Sequence, residues 1–131
     1  MRYWLISLCM VASCSAQATE AVEQLLKEYQ QAGASHFSVE AGKTVWEQTS
    51  VDAQSGKTRQ CASCHTADLR AQGKHQETGK VIEPLAPSVN SARLSNVKDI
   101  QKWLLRNCKW TFGRECTPQE KGDVLRYIQT Q

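Results

Sequence analysis

"QCASCHTADL", residues 60–69, decides how the rest of the chain is read. Cys61 and Cys64 enclose two small residues, and His65 follows at once. C-x-x-C-H is the attachment pattern of a c-type haem. Two thiols at this spacing add across the two vinyl groups, and the adjacent histidine is then placed under the iron. Two other chemistries use paired cysteines. A structural zinc site wants a fourth ligand at matching spacing, and the chain has no second C-x-x-C and no H-x-x-x-H. A thioredoxin-like redox pair wants a βαβ setting, and no strand pattern is visible. The expected cofactor is one covalently attached haem c. Cys61 and Cys64 are its thioethers and His65 is an iron ligand.

The flanking sequence supports export. The chain has 131 residues, enough for one domain. Residues 1–18 read as a signal peptide, with Arg2 as a positive start, an apolar run too short to span a bilayer, and Ala16-Gln17-Ala18 as a cleavage site. A buried N-terminal helix is the plainer alternative. "VASC", ending at Cys14, also fits a lipoprotein box, which would leave a lipid on Cys14. Cleavage after Ala18 leaves residues 19–131 as a monohaem cytochrome c domain. It removes one base and no acid, so the net charge falls from +3 to +2. No basic run and no basic aromatic patch argues for nucleic acid. The expected location is the bacterial periplasm, where disulfides are permitted.

Apolar spacing then divides the domain. Val22, Leu25, Leu26 and Tyr29 repeat at helical intervals and predict a helix over 19–31. Ser38 as N-cap predicts a second helix to about Glu47, with Val39, Gly42, Val45 and Trp46 on one side. Residues 49–60 are polar and turn-rich, a loop delivering the chain to Cys61. Between Thr66 and Asn90 there is little periodicity; Gly73, Gly79, Pro84 and Pro87 punctuate it. Asn96 and Asp99 open a third helix with Val97, Ile100, Trp103 and Leu104 as its apolar face, and Asn107 near its end. Thr117, Pro118 and Glu120 are a capping-box start for the last helix, whose stripe is Val124, Leu125, Tyr127 and Ile128. The expected fold is all-α, about four helices wrapped around one haem.

The second face of the iron is less plain. The only methionines are Met1 and Met10, so a His–Met carrier is excluded by composition. His75, His36, a lysine, an asparagine, water or nothing remain. His75 reads first as a solvated loop histidine, and Asn107 as a helix C-terminal residue. Cys108 and Cys116 are left over once haem has taken the other pair, and are the natural disulfide. Closing that loop would stabilise the fold by about 2.5 kcal/mol in the entropy model.

The helical plan resembles class I cytochromes c, in which the terminal helices cross closely with a glycine meeting an aromatic. "EAGKTVW" (40–46) and "GDVLRYI" (122–128) fit, with Gly42 facing Tyr127. In that class a proline segment after the motif supplies the carbonyl that orients the ligand histidine. Pro84 is the candidate here, and shaping a loop is its other reading. A narrower likeness covers nearly all of residues 19–131. "CASCHTADL", "TGKVIEPLAPS", "KWLLRNC" and "GRECTPQEKGDVLRYI", with "LLKEYQQAG" upstream, resemble the sphaeroides haem protein family of oxygen-binding c-type cytochromes. That resemblance implies His65 and Asn107 as the axial ligands and a Cys108–Cys116 disulfide. It further implies that Asn107 is released on reduction and that the ferrous haem binds O2, NO or CO. It implies a monomer, with a dihaem cytochrome c and a membrane cytochrome b as electron donors. Turnover of O2 or NO stays open, since no residue specifies a catalytic role. A plain electron carrier with permanent ligation, for example by His65 and His75, is the alternative.

Overall fold

The computed structural model describes residues 14–131, with side chains from Glu20 onward. Residues 1–13, most of the expected export segment, lie outside the described residues. Five helices and two small ladders follow in chain order: α1 Cys14–Gln31, α2 Val39–Glu47, β1 Ser50–Val51, β2 Thr58–Arg59, α3 Ala62–His65, β3 Gly73–Lys74, β4 Val81–Ile82, α4 Val97–Phe112 and α5 Pro118–Gln129. α1 begins before residue 19, where the apolar repeat starts.

The expected absence of strands is corrected. β1 pairs with β2, and β3 with β4, both antiparallel. Each strand has two residues, too few to show an alternation. The ladders close the loops on either side of α3 and do not form a layer. α3 is the C-x-x-C-H segment itself.

The core rests on the predicted stripes. Val22, Leu25, Leu26 and Tyr29 of α1 are buried with Phe37, Ile100 and Leu125. A second cluster joins Trp46, Leu69, Ala86, Val124, Tyr127 and Ile128, with Cys61 at its edge. α2 crosses α5 at Gly42. A methyl group there would overlap the Asp123 carbonyl and lie 2.7 Å from Tyr127 Cβ. The aromatic partner is thus as expected, and the backbone of Asp123 is nearer still. The Asp123 carboxylate is buried and accepts from the Ser38 amide at 2.8 Å and from Gln119 Nε2 at 3.1 Å. Ser38 in turn caps α2 by accepting from the Ala41 amide. This long-range support for the cap has no local sequence signal.

α4 differs from expectation at both faces. It continues past Asn107 to Phe112, because Cys108 and Thr111 extend its buried face and Gly113, at φ +70°, supplies the left-handed C-cap. Trp103, expected in the core, is 48% exposed and lies between Lys102 and Arg106.

α5 starts with the full capping box: Thr117 accepts from the Glu120 amide and Glu120 accepts from the Thr117 amide. Arg114 reaches the same carboxylate at 2.7 Å. Hydrogen bonding from Arg114, then the Thr117 amide, holds Glu120 down at about 2. A carboxyl lowered by folding adds stability that is complete above its unfolded value and is lost as pH falls through the folded one. The margin of wild type over Glu120→Gln is therefore expected to be present at pH 6 and to vanish between about pH 4.5 and 2. Thermal unfolding of both proteins across that range measures it. The pair is partly exposed, so the margin is small.

Candidate haem site

α3 carries Cys61 as its N-cap and Cys64 and His65 within it. One helical turn places all three on a short rigid support. The Gln60 amide donates to Ser63 Oγ at 3.2 Å, and Gln76 Nε2 donates to the Ser63 carbonyl. Gly73 of β3 lies against the Cys64 carbonyl, where any side chain would collide. In the sequence Gly73 reads only as punctuation; in the fold it lets β3 touch the motif.

Cys61 and Cys64 are not bonded to one another. Burial is the main cause that pushes the Cys61 thiol up to about 11. A redox C-x-x-C pair works through a lowered thiol, so this environment opposes that reading. His65 is packed beside Trp46, with ring centroids 5.7 Å apart and planes at 47°. Burial, and then the nearby Arg93 charge, push the imidazole down to about 4. The neutral ring is the form that can ligate a metal.

Behind His65 the wall is apolar. Leu69 and Ala86 are fully buried, and the Leu85 and Ala86 amides both donate to the Leu69 carbonyl at 2.9 Å. The Pro84 carbonyl accepts from Asn90 Nδ2 at 3.1 Å and from Arg93 Nε at 3.0 Å. Among the described residues, no hydrogen bond joins it to His65.

α4 carries the second expected ligand. Ile100, Cys108 and Thr111 define its buried arc. Asn107 lies at i+7 from Ile100 and i−4 from Thr111, so it falls at the edge of that arc, on the side away from Cys108. Its side chain is nonetheless exposed and makes no hydrogen bond among the described residues. Next to it, Cys108 is bonded to Cys116, with Cα atoms 5.6 Å apart. The far end of α4 is tied to the motif side. Ser50 Oγ donates to the Thr111 carbonyl, and Arg59 Nη1 donates to the Trp110 carbonyl at 2.9 Å.

The other histidines sit elsewhere. His75 turns its ring onto its own loop, where Nδ1 accepts from the Glu77 and Thr78 amides at 3.3 and 3.2 Å. His36 is exposed on the loop before α2, and its carbonyl accepts from Gln119.

These residues fit a covalently held haem. Two unpaired thiols at the required spacing and a neutral imidazole stand together on α3. An apolar cluster packs beside them, and a polar side chain lies exposed at the edge of the buried arc of α4. Trp46 Nε1, beside His65, is moreover a buried donor without an acceptor among the described residues. Fold and site together define a c-type cytochrome of the class I kind.

Comparison with known proteins makes the assignment narrower. A family described as a domain of unknown function (DUF1924) matches residues 32–128. "Cytochrome c-type protein SHP" of Cereibacter sphaeroides is 34% identical over 131 residues, the whole of both chains. The structure of oxidised SHP, described as an oxygen-binding cytochrome c, superposes with a TM-score of 0.74 at 35% identity, covering 84% of this chain and 96% of that one. Oxidised cytochrome c'' of Methylophilus methylotrophus gives 0.75 at 30% identity over 89% and 96% of the two chains. Its solution structure, which concerns haem-ligand detachment, gives 0.72 at 30% over 88% and 94%. The chain belongs to this family of sphaeroides haem proteins, and haem c is its cofactor.

Proposed function

We propose that this chain is an exported, oxygen-binding monohaem cytochrome c whose oxidised iron is held by His65 and Asn107. In this reading Asn107 lets go on reduction and leaves one face open to O2, NO or CO. The observation that carries it is the placement of Asn107: at the edge of the buried arc of α4, exposed, and without a side-chain hydrogen bond among the described residues. Bound haem supplies an iron that changes charge by one electron and, when ferrous, takes diatomic gases. An amide oxygen is a neutral, weak, hard ligand. It suits ferric iron and adds little to ferrous iron. Once released, Asn107 stays beside the open face and can donate its amide N–H to a gas molecule held there. The relatives support both halves of this reading, since one is described as binding oxygen and another through detachment of a haem ligand.

The chain's other residues hold this arrangement. Cys61 and Cys64 fix the macrocycle to α3. His65 packs on Trp46, and Pro84 is the candidate for the carbonyl that orients its ring. The Cys108–Cys116 disulfide pins the Asn107 turn to the start of α5. Residues 1–18 direct export, with cleavage after Ala18 or a lipid at Cys14, and the mature protein works in the periplasm. No helix among the described residues is long and apolar enough to cross a membrane. Electrons would come from a dihaem cytochrome c fed by a membrane cytochrome b.

Titrating the reduced, haem-loaded protein with CO tests the gas site. A Soret band that shifts and saturates is the expected result. A reduced spectrum indifferent to CO would mean that both faces stay filled, and the electron-carrier reading would replace this one.

A further inference from the structure

We infer that Arg59 is a positioning residue which, through Trp110 and Glu77, sets how firmly Asn107 is held against the iron. The inference rests on the His65–Asn107 reading. Arg59 lies two residues before Cys61, in β2. Its side chain is 18% exposed. Nη1 donates to the Trp110 carbonyl at 2.9 Å, and the guanidinium lies 4.5 Å from the centre of the Trp110 ring. The same guanidinium pairs with Asp52 at 3.2 Å and Glu77 at 3.8 Å. Trp110 Nε1 donates to Glu77 Oε1 at 3.1 Å, so Arg59, Trp110 and Glu77 form a closed triangle. Gln76, the residue before Glu77, donates to the Ser63 carbonyl inside the haem-attachment motif. Ser63, Gln76 and these three line one cleft of about 210 Å³.

Trp110 follows Asn107 by three residues, which is the next turn of the same helix. The triangle therefore joins the motif side of the molecule directly to the turn that carries Asn107. Cys61 and Cys64 fix the macrocycle on the motif side. How well Asn107 meets the iron then depends on where α4 stands relative to α3. A weak ligand has little bond energy with which to correct a misplaced helix. Its occupancy follows the placement instead, and the Arg59 fork and stacked face supply that placement. Lysine at the same place would keep the charge but could not stack and make the forked contacts together.

The test uses the haem-loaded oxidised protein and imidazole, which competes with Asn107 for the iron. Arg59→Lys is expected to bind imidazole roughly tenfold more tightly than wild type, the scale of one charge-assisted hydrogen bond. Its ferric spectrum should also gain high-spin character. Trp110→Phe removes the Nε1 donation and narrows the ring beneath the guanidinium, and should move both readouts the same way by less; it stands in as the test should Arg59→Lys fail to fold. In Asn107→Ala, where there is no ligand left to position, adding Arg59→Lys should change nothing further. A purely structural role would lower the thermal midpoint and leave imidazole affinity unchanged, which overturns the inference. If Asn107→Ala itself binds imidazole no more tightly than wild type, the ligand assignment fails and the clamp falls with it. If Asn107→Ala does and the two clamp variants do not, only the clamp fails.

Discussion

Replacing Asn107 by alanine should convert the oxidised protein from low-spin to high-spin while leaving the reduced spectrum as it was. The asymmetry follows from the ligand. An amide oxygen contributes to the field of ferric iron, and its loss leaves water or nothing on that face. Ferrous iron has already released it, so the reduced protein has nothing to lose. The midpoint potential should rise, because the substitution destabilises the oxidised form alone. Each tenfold of lost ferric stabilisation is worth about 59 mV for one electron. Alanine favours the helix, and Asn107 is exposed and its side chain makes no hydrogen bond among the described residues, so α4 should be undisturbed. Optical spectra and a redox titration of both proteins check this. An oxidised variant with an unchanged low-spin spectrum would remove Asn107 from the site.

Gly42→Ala is expected to destabilise the fold strongly. In an open helix, exchanging glycine for alanine gains about 1 kcal/mol. Here the methyl would overlap the Asp123 carbonyl and come to 2.7 Å from Tyr127 Cβ. Neither can move freely: the Asp123 carbonyl is part of α5, and the Asp123 carboxylate anchors the start of α2 through Ser38. The helices must separate, which opens the cluster of Trp46, Val124 and Tyr127 that flanks His65. Overpacking of this kind costs about 1–3 kcal/mol, and we expect a net loss near 2 kcal/mol despite the helix gain. Denaturant unfolding of haem-loaded wild type and variant measures it. Equal or greater stability in the variant would mean that the crossing is looser than its geometry.

The elements with a strong period were legible in the chain. The α1 stripe, the Ser38 cap and the Thr117–Glu120 box each draw on residues within one or two turns, so the local sequence contains the signal. So does C-x-x-C-H, whose chemistry requires its spacing. The two-residue ladders were not legible, since two residues have no period. The full extent of α4 was not legible either, because Asn107 and Cys108 look like an ending. Only the burial of Thr111 and the left-handed Gly113 show that the helix goes on. Trp103 fits the helical period of the core and is outside it, between two cations. The Arg59–Trp110 and Ser38–Asp123 contacts span 51 and 85 residues, distances at which one sequence carries no pairing information. Asn107 itself came from family resemblance; helical position alone offered a capping residue.

The most direct test of a ligand that departs on reduction is the spin state of the wild-type haem iron through one reductive titration, followed by magnetic circular dichroism or resonance Raman. Low-spin ferric and high-spin ferrous iron are expected, with the spin change tracking the single redox midpoint. Iron that is low-spin in both states would contradict it.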